Sequence, residues 1–369
     1  MRILHVLNNA RNGNGNVEVV IDLACEQVRQ GADVALATTR CHFEAELAAA
    51  GVRRLALDGE PGRGGGPVQA RRIGAVARAF GPDVVHAHMV ASALAARLAT
   101  GLVPGGRRAV LISSVHNSFD RQAVLMGVAD RVIAVSEAVY AQMRRRGIPS
   151  RKLRVVRNGA IGGARRPLAP ARRCDLPRPC LVGVAGLHAR KGIGDLLDAL
   201  AILRLEHPDL HLVLIGDGPE RARFEARARA LRIAEAVHFL GYVRDPRAYL
   251  HSADVFVHAA RAEPFGLVLV EARQMGCPVV AAAVGGVPEA LDGGEAGLLV
   301  PPRNPAALAQ AASFLLSDAA ARARWSERAR AGLDRHSVAR MASETSAVYR
   351  EATEAAAAGR RLRWARAAS

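Results

Sequence analysis

The chain has 369 residues, half of them apolar but only 4% aromatic, and its 51 basic and 34 acidic side chains leave a net charge of +17. That apolar content excludes a disordered chain and suffices for two globular domains. No apolar run approaches the ~18 residues of a membrane-spanning helix, and the apolar part of the opening MRILHVLNN is too short for a signal peptide.

In chain order, a strand is predicted over Arg2–Leu7, followed by the loop NNARNGNGN and a helix from about Val17 to Gln30. Gly31 reads as the residue that ends that helix, with a second strand over Asp33–Ala37. Further strands are predicted at 83–88, 109–115 and 131–136, the last followed by a helix from near Ser136. The Pro- and Arg-rich stretch 163–178 reads as an interdomain linker. The pattern then restarts with strand 181–186, the turn LHARKG and a helix. Strands follow at 211–216, 238–243, 253–259 and 278–286. Alternating strands and helices imply α/β domains with doubly wound parallel sheets and ligands at the strands' carboxyl ends. The expected division is 1–162, a linker at 163–178, 179–359, and a basic tail at 360–369.

Charge follows that division. Residues 1–162 carry 22 basic and 12 acidic side chains, whereas 179–359 carry 20 and 21. An anionic partner is therefore expected for the first domain alone. Arg71, Arg72, Arg107, Arg108 and Arg144–Arg146 are candidates for a cationic face toward anionic lipid or a lipid-phosphate acceptor. With so few aromatics to stack bases, nucleic acid is not an expected partner. The five cysteines lie in no metal-ligand spacing and read as free thiols of a reducing, cytoplasmic setting.

A strand that feeds a Gly/Asn loop at a helix N-terminus is an anion site, because free N–H groups and the helix dipole point outward. Gly13 and Gly15 fit two glycines of a dinucleotide fingerprint, but Glu18 occupies the third position, and the second strand ends in Thr38-Thr39-Arg40 without an acid for a ribose. A nicotinamide-dependent dehydrogenase is the weaker reading for that reason. Lys191 is one of only two lysines and precedes a helix start, where an ammonium and free amides could hold a diphosphate together. Glu263 and Glu271 bracket Pro-Phe-Gly-Leu-Val-Leu-Val. Were that interval helical, eight residues would separate the acids by ~12 Å, whereas a retaining glycosidase pair stands about 5 Å apart. The two carboxylates are thus expected to touch different parts of one ligand. His86 and His88 alternate on a strand and read as site-lining or packed rather than metal-binding, since no acid or cysteine converges with them and His116. Asp217 in Gly-Asp-Gly-Pro reads as a turn former.

The Glu263-x7-Glu271 motif resembles that of GT-B-fold retaining glycosyltransferases of the family-4 group (glycosyl transferases group 1). GNVEVVIDLACEQVRQGADV, DVVHAH, VHNS, ADRVIAVSE and VVRNG resemble that family's first-domain landmarks in order. LHARKGIGDLLDAL, LIGDGPE, FLGYV, GGVPE and GLLV resemble those of the second. The resemblance implies two Rossmann-like domains facing a cleft, with a closing helix near 337–354 that crosses back to the first. It implies a retaining sugar transfer from a nucleotide-diphosphate sugar, UDP- or GDP-linked, to a saccharide or lipid-linked acceptor in cell-surface glycan or glycolipid synthesis. A peripheral site at the inner face of a membrane would suit such an acceptor. Catalytic roles fall to Glu263, Lys191 and His116. Donor contacts fall to Gly15, Asn16, Arg190, Val243, Phe265, Gly266, Leu267 and Glu271, with Glu271 on the ribose hydroxyls and Val243 near the base. No metal and no cofactor are expected, since no Asp-x-Asp triplet is present. Two departures stand out: Gly186 replaces an arginine that assists the lysine in many members, with His188 or Arg190 as substitutes, and Asn16 replaces a glycine. A same-fold nucleotide-sugar epimerase or hydrolase, or a non-catalytic binding protein, is the alternative.

Overall fold

The computed structural model describes all residues except 12, 58–64, 102–108, 167–170 and 368–369. The expected cationic positions Arg107 and Arg108 lie outside the described residues. The chain forms two compact units, one of residues 1–165 with 337–369 and the other of residues 166–336.

The first unit is built on a seven-stranded parallel sheet in the order β3-β2-β1-β4-β5-β6-β7. Its strands are β1 Arg2–Val6, β2 Asp33–Thr38, β3 Arg53–Ala56, β4 Val84–Ala87, β5 Val110–Val115, β6 Arg131–Ala134 and β7 Leu153–Val155. β1, β4 and β5 are buried along nearly their whole length, as central parallel strands covered on both faces must be. The helix Gly15–Arg29 is capped by Asn14, whose side chain accepts from the Asn16 N–H at 3.1 Å. Gly31 follows the C-cap at φ +88°, where a side chain would be strained.

The closing helix Val338–Ala367 belongs to this unit. Tyr349 on it is fully buried, and Glu351 pairs with Arg131 at 2.9 Å and with Arg154. Residues 163–165, expected as the start of a linker, lie on helix Gly15–Arg29: Arg165 bonds to Asp22 at 2.8 Å and Glu18 at 3.0 Å. Glu18 therefore serves as an ion-pair partner at the third fingerprint position.

The second unit carries a six-stranded parallel sheet in the order β10-β9-β8-β11-β12-β13. Its strands are β8 Cys180–Val184, β9 His211–Ile215, β10 Val237–Gly241, β11 Val255–His258, β12 Val279–Ala282 and β13 Leu298–Val300. Leu181, Leu212, Leu214, Val255 and Val257 from the strands pack with Leu196, Leu200 and Leu308 from the helices in one core. The end of the expected linker is fixed to this unit, with Arg178 on Asp254 at 2.6 Å and the Cys174 N–H on Ser252 Oγ at 2.8 Å. All five cysteines are free. In both sheets the strand order reverses beside the first strand of the unit, between β1 and β4 and between β8 and β11. A crevice for ligands opens at such switch points, outside the strands' carboxyl ends.

Candidate active site

Lys191 and Glu263 flank the switch point of the second sheet. Lys191 ends a single helical turn, Ala189–Lys191, that follows β8; Glu263 lies in the loop that follows β11. The Lys191 ammonium donates to Glu263 Oε2 at 2.5 Å, with both side chains largely buried. His258, the last residue of β11, places Nε2 3.4 Å from the same oxygen, and among the described residues that buried nitrogen has no closer hydrogen-bond partner. Burial opposes ionisation of Glu263, but Lys191 and His258 more than reverse it and lower its pKa to about 2.

The backbone around this pair is held by glycines that nothing larger could replace. Gly192 has φ +68°, and a Cβ there would stand 1.8 Å from the Ala259 carbonyl oxygen. The two loops thus meet backbone to backbone, and the Arg261 N–H also donates to the Arg190 carbonyl at 2.8 Å. Arg261 in turn forks onto Asp195 at 2.8 and 2.6 Å. On the other side, Gly285 and Gly286 of the Gly-Gly-Val-Pro-Glu segment press on the Glu263 and Pro264 carbonyl oxygens, where a Cβ would fall at 2.0 and 2.3 Å. The Gly286 N–H donates to the Glu263 carbonyl at 3.0 Å.

Two helix N-termini open from this region. Ile193–Leu203 starts at Gly192 and Leu267–Gln274 starts at Gly266, which has φ +95°; neither has a side-chain cap. Each therefore presents first-turn amides and the positive end of its dipole. Phe265 is buried, so its backbone rather than its ring is available to a ligand, while Leu267 is half-buried. Glu271 projects from the second helix and is buried in an ion pair with Arg166. Arg166 also reaches the Arg244 carbonyl at 3.5 Å, so it links Glu271 to the loop after β10 that contains Val243. Arg273, fully buried, fixes the same helix through the Ala290, Ala329 and Ala331 carbonyls and Asp292.

Asp217 shapes the turn after β9: its carboxylate accepts the Gly218 N–H at 2.8 Å, and its carbonyl accepts the Leu187 N–H at 3.0 Å. The His188 ring lies over Gly186, its Cδ2 3.3 Å from where a Cβ at 186 would be. An arginine at 186 would have to displace that ring.

The second unit thus carries Arg190, Lys191, Val243, Glu263, Phe265, Gly266, Leu267 and Glu271. The first carries Gly15, Asn16 and His116. The Asn16 amide is already engaged by Asn14. His116 follows β5 and is buried, with Nε2 3.2 Å from His88 Nδ1. His5, His86 and His88 bring ring nitrogens within 4.8 Å of one another, the arrangement a metal would need. All six of their nitrogens are hydrogen-bonded, however, to Gln27, His116, Ser114, Tyr349 and one another. His86 and His88 are thus buried in a hydrogen-bonded cluster. His258 and Arg166 were not singled out by the sequence; the signal for His258 was its place at the carboxyl end of a buried strand, five residues before Glu263.

Residues 172–332 match the family Glycosyl transferases group 1, and residues 13–160 match Glycosyltransferase Family 4. The chain belongs to the group 1 glycosyltransferases. It is 33% identical over 275 residues to a glycogen synthase of Mycobacterium tuberculosis, covering 69% of this chain and 64% of that protein. It is 32% identical over 298 residues to a D-inositol 3-phosphate glycosyltransferase of Streptomyces avermitilis, covering 76% of this chain and 62% of that protein. The chain thus spans less than two thirds of the length of these curated relatives. Among solved structures, the Anabaena protein HepE in complex with UDP and glucose superposes with a TM-score of 0.80 at 22% identity, over 94% of this chain and 98% of that one. The two-Rossmann GT-B architecture is shared with that structure. Among the described residues no helix is long and apolar enough to cross a membrane.

Proposed function

We propose that this group 1 glycosyltransferase moves a sugar from a nucleoside-diphosphate sugar, UDP- or GDP-linked, to a saccharide or lipid-linked acceptor, with retention of configuration and without a metal. The observation that carries this reading is the Lys191–Glu263 pair, set at the switch point between two uncapped helix starts. Its likeness to a glycogen synthase, to a D-inositol 3-phosphate glycosyltransferase and to a protein seen in complex with UDP and glucose supports the same class of donor and acceptor.

In this reading the diphosphate lies against Lys191 and the first turn of helix Ile193–Leu203. Negative charge grows on its bridging oxygen as the glycosidic bond breaks, and a fixed ammonium with oriented amides stabilises that charge. These groups supply the positive field, so no divalent ion is required. Glu263, kept ionised, accepts hydrogen bonds from hydroxyls of the transferred sugar, and Glu271 accepts from the ribose hydroxyls once Arg166 yields to them. A carboxylate with a pKa of about 2 is a weak base and a weak nucleophile at neutral pH. That favours direct attack by the acceptor hydroxyl on the face the diphosphate leaves. The new C–O bond forms as the sugar–phosphate bond breaks, and the hydroxyl proton passes to the departing phosphate oxygen. The charge excess of residues 1–162 supports an anionic acceptor, or an anionic membrane surface carrying it, on the first unit, and so a cytoplasmic protein working at the inner face of a membrane in cell-surface glycan synthesis.

A thermal-shift panel of nucleoside diphosphates and their sugars tests the donor assignment. At least one uridine or guanosine diphosphate species should raise Tm, and Lys191→Ala and Glu271→Ala should abolish the rise. A flat response across the panel would overturn the reading.

A further inference from the structure

The first sheet holds a row of buried imidazoles at and beyond the ends of β1, β4 and β5, and the direction of their hydrogen bonds can be worked out from one end. Gln27 Oε1 lies 2.8 Å from His5 Nε2, and Gln27 Nε2 lies 3.3 Å from the Tyr349 hydroxyl. A carbonyl oxygen only accepts, so His5 carries its proton on Nε2. A neutral ring has one such proton, which leaves His5 Nδ1 as a bare lone pair that accepts from His88 Nε2 at 2.9 Å. His88 Nδ1 is then bare and accepts from His116 Nε2 at 3.2 Å. His116 has directed its single proton inward, so its Nδ1 is a lone pair. That atom is buried and, among the described residues, has no hydrogen-bond partner.

A side branch agrees. The Tyr349 hydroxyl accepts from the Gln27 amide and donates to His86 Nδ1 at 2.6 Å, and His86 Nε2 donates to Ser114 Oγ at 2.7 Å. Along both branches every histidine ring nitrogen is paired donor to acceptor except His116 Nδ1, an acceptor with no donor among the described residues. Turning the Gln27 amide over would reverse the whole network and make His116 Nδ1 a donor. One amide therefore decides the polarity of an atom three rings away. A buried acceptor without a donor is costly, and native structures leave few of them unexplained. A saccharide hydroxyl is the donor that the proposed reaction brings.

We propose that Gln27, His5 and His88 are positioning residues that hold His116 in its Nε2-protonated form, so that Nδ1 accepts a hydrogen bond from a hydroxyl of the bound saccharide. The identity of that ligand rests on the transferase reading; the direction of the network does not.

Nitrogen-15 NMR of the full chain with labelled histidine, at neutral pH and without substrate, reads the tautomers directly. His116 should show a protonated Nε2 and a bare Nδ1. Gln27→Leu should scramble His116 between tautomers, and Gln27→Glu, whose carboxylate oxygens still accept from His5, should preserve the wild-type pattern. An Nδ1-protonated His116 in the wild type would overturn the proposal, and so would a His116 spectrum unchanged in Gln27→Leu. In turnover assays Gln27→Leu should lower kcat/KM about tenfold, the scale of one lost hydrogen bond, with binding of free nucleoside diphosphate unchanged. If the tautomer is as expected but no nucleotide sugar is turned over, the transferase reading fails and the network stands. If turnover occurs but Gln27→Leu leaves kcat/KM unaltered, the saccharide contact fails.

Discussion

Lys191 Nζ stands 2.5 Å from Glu263 Oε2 although 72 residues separate the two in the chain. The contact exists because each residue lies just past one of the two adjacent strands β8 and β11, and because Gly192 allows their loops to touch through backbone atoms. It makes the cation and the carboxylate a single electrostatic unit.

Removing the cation should therefore be felt on the acid. Lys191→Met leaves Glu263 buried but takes away its strongest stabilising charge, so its pKa should rise from about 2 toward or beyond the ordinary carboxylate value. In the wild type, the stability that ionised Glu263 contributes is present above its unfolded pKa, ordinarily near 4.5, and is lost only as pH falls toward 2. Carbon-13 NMR of labelled glutamate should show no Glu263 titration between pH 7 and 4 in the wild type and a titration inside or above that window in the variant.

The glycines at the loop contacts should be intolerant of even one carbon. Gly192→Ala and Gly285→Ala each combine a left-handed backbone with a Cβ driven onto a carbonyl oxygen. A loss of at least about 2 kcal/mol is expected for each, read as a lower urea midpoint. Gly31→Ala should cost only the conformational penalty of about 1–2 kcal/mol, because nothing lies within 4 Å of its Cβ position.

The imidazole network sets an acid limit on stability. Burial lowers His5 and His116 to about 4 and His86 and His88 well below the ordinary value. The unfolded chain takes up protons below pH ~6.5 while the folded rings stay neutral, so stability is complete above that pH and falls as pH drops toward 4. Each ring kept neutral adds about 1.4 kcal/mol per pH unit to the slope. Urea unfolding in steps from pH 7 to 4.5 should show this steepening, and a flat profile would contradict it.

Arg166 should restrain donor binding through Glu271. Arg166→Ala leaves Glu271 buried with a lost ion pair, which lowers stability, and exposes its carboxylate to ribose hydroxyls. Tm of the free protein should fall, and the Tm rise on adding nucleoside diphosphate should become larger than in the wild type. A smaller rise would show that Arg166 instead contributes to binding.

Much of this was legible in sequence because parallel strands buried on both faces read as apolar runs. The central strands β1, β4, β5, β8, β9, β11 and β12 lie within a residue or a few of their expected limits. β3, β7 and β13 carried no such signal: they lie at or next to sheet edges, are short, and Arg53–Ala56 is largely exposed. Within the site, motif spacing marked Glu263 and Glu271, and scarcity of lysine together with a place before a helix start marked Lys191. Spacing could not mark Arg166, because its partner Glu271 lies more than a hundred positions away, or Arg273, whose carbonyl partners have no side-chain signature. The histidine network was half visible. Alternation placed His86 and His88 on one side, but Gln27 and Tyr349 join through tertiary contacts from the first and last helices of the chain.

Donor turnover in excess EDTA, with the anomeric configuration of the product read by proton NMR, separates the proposed transfer powered by protein charges from one that needs a divalent ion. Under the proposed metal-free mechanism the wild type should turn over undiminished with a retained anomer, and Lys191→Ala should lose at least about a hundredfold. Turnover that vanishes in EDTA and returns with Mg²⁺ or Mn²⁺, or an inverted product, would contradict it.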